Sequence, residues 1–145
     1  MSLTVYRFFQ IAIWTPAVFL VSLPLLESML RGPQSLDDIL LTYGLSFGII
    51  AYPAFAIWAT RYIKKKSEAA TARLIWWAPI IFIPFYGVPW VIYGLAHVVM
   101  GDMSGIAMAL LWVAFSPYIF LVGYIFSMAV FVIYAMFFQT ASSEH

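Results

Sequence analysis

The chain alternates between four long apolar runs and short polar breaks. The runs cover about 8–26, 39–60, 74–100 and 106–138, and none of them contains Asp, Glu, Lys or Arg. A bilayer core about 30 Å thick takes roughly 20 apolar residues as helix, so each run is long enough for one crossing. Backbone amides in hydrocarbon must be hydrogen-bonded internally, which makes helix the conformation for each of them. The pattern therefore predicts an all-α integral membrane bundle of four kinked transmembrane helices, a single domain over residues 1–145. Helices joined by short loops are expected to pack as antiparallel neighbours.

Breaker residues refine this picture. Ser35 with Asp38 forms a capping-box pattern at the start of the second helix, with Pro33 just before it. Gly101 and Gly105 bracket a tight turn between the third and fourth. The third run carries Pro79, Pro84 and Pro89, with Gly87 among them. Each proline removes an amide donor and crowds the preceding turn, and in lipid the freed carbonyls need partners from protein or water. This predicts a kinked or locally unwound helix shielded by its neighbours, with a re-entrant hairpin as the alternative. The fourth run is about 50 Å long as helix, more than the bilayer core, so it should bend at Pro117, tilt, or project beyond the membrane. The first run follows Arg7, contains Pro16 and Pro24, and ends without a small-x-small cleavage pattern, which predicts a retained segment rather than a signal peptide.

Charge then sets the orientation. The first break carries Glu27, Arg31, Asp37 and Asp38, the second Arg61, Lys64, Lys65, Lys66, Glu68 and Arg73, and the third only Asp102, with His97 at its edge. If both termini and the second break share a side, that side holds every Lys and Arg except Arg31. The positive-inside rule assigns it to the cytoplasm, and a bacterial inner membrane is the expected location. Trp58, Trp76 and Trp77 lie near this boundary and Trp90 and Trp112 toward the other, as interfacial rings should.

Composition narrows the class further. The 145 residues are 65% hydrophobic and 9% charged, against roughly 45–50% and 25% in soluble domains, so there is no room for a separate water-exposed domain. A net charge of +1 gives a nucleic-acid partner no electrostatic footing. With no cysteine, disulfides, thiolate metal sites, iron–sulfur clusters and cysteine nucleophiles are excluded together. The lack of intramembrane charge argues against proton- or sodium-coupled carriers, voltage sensors and proton relays.

The candidate chemistry is sparse. His97 and Asp102, with Ser104 nearby, are the one grouping that suggests acid–base work or ligation. One histidine and one carboxylate are too few for structural zinc, and His97 could serve as an axial haem ligand only with a second ligand from a partner. A satisfied interfacial histidine is the plainer reading, so no metal and no cofactor are expected, and the terminal His145 is assigned no role.

Gly44 and Gly48, with Ala51 continuing the face, could dock a partner helix or pack inside the bundle, and packing is favoured. Ser116, Gly123, Ser127 and Tyr134 form a small, weakly polar stripe on the fourth helix that could line a cavity or, more simply, form an interhelical seam. Arg61, Lys64, Lys65, Lys66 and Arg73 could hold anionic lipid headgroups, although their role in topology already accounts for them.

Three functions fit this inventory. The first is a non-catalytic accessory, anchor or assembly subunit of a larger membrane complex, embedded in the lipid bilayer with protein partners other than copies of itself. The second is a small oligomeric channel or carrier for uncharged or lipid-like molecules. The third is a membrane-surface enzyme using His97 and Asp102.

Overall fold

The computed structural model describes the backbone of residues 2–30 and 36–139 and the side chains of residues 2–22 and 47–138. The capping pattern at Pro33, Ser35 and Asp38, the Gly44 position in the small-residue face, and His145 lie outside the described residues or side chains. The chain forms α1 (Leu3–Leu30), α2 (Leu36–Ile63), α3 (Glu68–Val99) and α4 (Gly105–Tyr134), and α4 ends in a π-helical turn, Ala135–Gln139. The segments Leu3–Ser22, Glu68–Val99 and Gly105–Phe138 are long and apolar enough to cross a membrane.

The helices overrun the ion-free runs because capping, not hydropathy, sets their ends. α3 begins at Glu68, six residues before the apolar run. Ser67 is extended there (φ −69°, ψ 163°) and its hydroxyl accepts the Ala70 amide at 3.3 Å. Glu68 in the first turn suits the positive end of the helix dipole, and Ala69, Ala70 and Ala72 are strong helix formers. α2 likewise continues through Arg61, a basic residue in its last turn.

α3 runs without a break through Pro79, Pro84 and Pro89, so neither local unwinding nor a re-entrant hairpin occurs. At Pro79 the reason is visible. A proline there leaves the Ile75 carbonyl, four residues earlier, without its usual amide. The Ser127 hydroxyl of α4 donates to that carbonyl at 3.0 Å. One turn away Gly123 faces the Pro79 ring, and a Cβ added at Gly123 would stand 2.9 Å from the Pro79 side chain. The neighbouring helix thus supplies both the missing donor and the room for the ring.

α3 packs most extensively on α4, α2 packs on α3 and on α1, and α1 touches α3 over a smaller area. Two side-chain bonds tie α1 to α2: the Trp14 indole donates to Thr60 Oγ1 at 3.1 Å, and the Tyr52 hydroxyl donates to the Ile13 carbonyl at 2.9 Å. The start of α1 meets the end of α4, with the Phe9 ring stacked on Tyr134 at 5.1 Å and Phe8 5.3 Å from Phe138. Tyr134 also donates its hydroxyl to Glu68 at the start of α3. The start of α1, the end of α4 and the turn carrying Lys64, Lys65 and Lys66 therefore gather at one end, called here the basic end. The core lies toward it, where Phe9, Ala56, Ala59, Ile63 and Thr71 are completely buried. Outward-facing positions such as Ile11, Val18, Ile92, Leu121, Ile125 and Met128 are apolar and exposed.

Candidate functional site

At the end of the bundle opposite the basic turn, α3 stops in a Schellman motif. Gly101 adopts φ +88°, its amide donates to the Val98 carbonyl at 3.0 Å, and the Asp102 amide reaches back to His97 at 2.9 Å. This fold-back brings the Asp102 side chain beside the last turn of α3. Asp102 Oδ2 lies 3.2 Å from His97 Nδ1, and Oδ1 accepts the Ser104 amide at 2.9 Å. The Ser104 hydroxyl and amide and the His97 ring hold the Asp102 carboxyl below its usual value. The Tyr93 ring packs edge-on against the imidazole at 4.7 Å.

His97 and Asp102 are thus brought together, in an order that suits a turn lock. The carboxylate sits between the imidazole and the serine, whereas nucleophilic catalysis needs the base between acid and hydroxyl. Among the described residues no bond joins His97 to Ser104, and no cluster of three His, Asp or Glu side chains is placed to hold a metal ion.

The small residues are taken up by contacts within the chain. Gly48 faces Leu20 of α1, with 3.9 Å from an added Cβ to the leucine side chain. Gly123 and Ser127 receive Pro79 and Ile75, while the Ser116 hydroxyl bonds its own Trp112 carbonyl at 2.8 Å. α3 and α4 also approach closely at Gly94 and Gly105, which no stripe had marked. A Cβ at Gly94 would collide with the Gly105 carbonyl and stand 2.5 Å from the Ala109 nitrogen. The proline positions differ in setting: Pro79 is buried, Pro89 half-buried, and Pro84 and Pro117 exposed.

Beside Gly87 the Trp112 indole packs close to α3, 3.2 Å from where a Cβ would sit. Trp90, 2% exposed, packs between Phe47 at 4.6 Å and Phe115 at 5.8 Å. The Trp112 indole nitrogen is buried with no hydrogen-bond acceptor among the described residues, while the Trp90 indole lies against the Tyr86 phenol.

The basic end carries a groove of about 440 Å³ between the end of α2 and the start of α3. Tyr62, Ser67 and Arg73 form its polar portion, and Leu74, Trp77 and Ile81 continue it along α3. Lys66 reaches over the Tyr62 ring, its Nζ 5.0 Å from the centroid. Arg61, Lys64 and Lys65 are exposed around the same turn, and among the described residues neither they nor Lys66 and Arg73 form an ion pair. Glu68, the nearest carboxylate in sequence, is engaged by Tyr134 on the α4 side of α3.

Comparison with protein-family models, with curated proteins and with solved structures finds no match to this chain.

Proposed function

We propose that the chain is a non-catalytic membrane subunit that anchors or helps assemble a larger complex. In this reading all four helices cross the bilayer, with both termini and the basic turn in the cytoplasm, most simply in a bacterial inner membrane. One observation carries it: the polar groups that bridge helices hold the chain's own helices together. Trp14, Tyr52, Ser127 and Tyr134 each donate to another helix of the same chain. What is left outside is an apolar surface, offered to lipid and to other membrane helices. A protein of this kind acts through the faces it presents rather than through a reactive cleft. The order His97–Asp102–Ser104, with the acid in the middle, supports a turn lock in place of acid–base chemistry.

The test is gentle solubilisation of the tagged chain from its native membrane, followed by identification of what travels with it. Larger subunits in fixed stoichiometry are expected. A chain that runs alone, or only with copies of itself, defeats the reading. The orientation is tested by single cysteines placed at Ser2 and Lys65, which the cysteine-free sequence makes unambiguous. A membrane-impermeant reagent should reach both from the same face.

A second reading is supported by the unaccepted indole donor at Trp112. A buried donor without a partner is costly, and a small uncharged molecule carrying an acceptor would relieve it, as in a carrier. Flux of a neutral solute in reconstituted vesicles that is abolished by Trp112→Phe would favour this reading over the first.

A further inference from the structure

We infer that the groove between α2 and α3 is a binding site for one anionic glycerophospholipid of the cytoplasmic leaflet. This goes beyond an accessory role and holds whether or not the chain has protein partners. It requires the chain to sit in the bilayer with the basic turn at the headgroups.

The groove is graded as an amphiphile is graded. From Ser67 to Ile81 along α3 is about 21 Å at 1.5 Å per residue, roughly the depth from the headgroup region well into the acyl chains. Along α3, Ser67, Ala69 and Ala70 stand at the shallow end, Arg73, Leu74 and Trp77 follow along the middle, and Ile81 marks the deep end. Trp77, 48% exposed, and Tyr62, 40% exposed, are amphipathic rings of the kind that settle at the boundary between these zones.

Charge at the mouth points to an anion. Lys66 is held at the rim by its contact with the Tyr62 ring. Arg73 lines the groove itself, and its guanidinium fork matches a phosphate. Glu68, whose charge would oppose an anion, is drawn to the opposite side of α3 by Tyr134. The first turn of α3 adds the positive end of its dipole at Ala69 and Ala70, which also line the groove. An orientation signal alone needs basic residues in the turn. It does not need an arginine set in a groove whose lining turns apolar at Leu74, Trp77 and Ile81, or a carboxylate turned away from it.

The experiment uses the full chain in nanodiscs of phosphatidylcholine containing a minor fraction of phosphatidylglycerol, with retained lipid counted by native mass spectrometry after mild detergent extraction. One phosphatidylglycerol per chain should be retained in preference to phosphatidylcholine. Arg73→Gln should lower that preference about fivefold, the ratio equivalent to roughly 1 kcal/mol for one basic side chain at an anionic surface. Ile81→Trp fills the deep end without altering charge and should lower retention of the same lipid. Lys64→Gln, away from the groove lining, should change it less than twofold.

Equal losses from Lys64→Gln and Arg73→Gln, with none from Ile81→Trp, would mean diffuse surface attraction and overturn the site. Displacement of the lipid by inorganic phosphate as readily as by a second phospholipid would assign the mouth to free phosphate and overturn the lipid assignment. A polypeptide retained in the lipid's place, and lost in the Ile81→Trp chain, would do the same. Helicity measured on each variant separates these outcomes from misfolding.

Discussion

Replacing Ser127 with Ala should destabilise the bundle only because Pro79 is present. The Ser127 hydroxyl is 2% exposed and bonds the Ile75 carbonyl at 3.0 Å, in a part of α3 where Pro79 withholds the normal donor. Side-chain hydrogen bonds between membrane helices average about 0.6 kcal/mol and reach about 1.7. A buried acceptor left with no partner adds to that, up to about 1–3 kcal/mol in all. Ser127→Ala should therefore cost roughly 1–2 kcal/mol. In a Pro79→Ala chain the new amide can bond Ile75 within the helix, and the same Ser127→Ala change should cost less than about 0.3 kcal/mol, near the limit of additivity. The double-mutant cycle is read by SDS titration in mixed micelles. Energy transfer between dyes on two introduced cysteines follows α3–α4 separation, an approach open because the chain has no cysteine. Equal losses in both backgrounds, or no loss in the parent, would refute the idea that α4 supplies the donor that proline removes.

Four further outcomes follow from the same geometry. Gly94→Ala should force α3 and α4 apart and cost about 1–3 kcal/mol in thermal unfolding, as an overpacked core does. Gly101→Ala should cost only about 1 kcal/mol, from its positive φ, since an added Cβ there meets nothing within 4 Å. Tyr134→Phe should lose about 1 kcal/mol in the same assay by freeing Glu68, and a change within error would show that the aromatic cluster holds that end without it. Asp102 has a lowered folded-state pKa, so its contribution is present above the ordinary carboxylate value of 3.8 and fades as pH falls below it. Asp102→Asn should flatten the melting temperature of the purified chain over that acid range, whereas an unchanged pH profile would remove Asp102 as the titrating group.

The helices were legible because their signal is local. Runs free of Asp, Glu, Lys and Arg stand out in any window, and Gly101 announces the turn by its chemistry. Helix ends were less so, since the Ser67 cap extends α3 through the polar stretch from Glu68 to Arg73 that hydropathy leaves out. The unbroken course of α3 could not be read from its own three prolines, because the donor that rescues Ile75 belongs to α4, 52 residues away. Ser127 was visible in its stripe with Gly123 and Tyr134, but its acceptor was not. The pairing of Gly94 with Gly105 escaped because each is a single glycine, and only the turn between them brings the two backbones together. The groove was half legible: its charges are plain in the sequence, while the withdrawal of Glu68 toward Tyr134 depends on the α3–α4 crossing.

The meeting of Phe8 and Phe9 with Tyr134 and Phe138 has a consequence for how the protein is made. Tyr134 and Phe138 leave the ribosome well after Phe8 and Phe9, on the order of ten seconds later at ordinary synthesis rates. Throughout that interval the start of α1 is without these two neighbours. A nascent chain stopped short of Tyr134 lacks the rings that cover Phe8 and Phe9, so that side of α1 stays open until they are made.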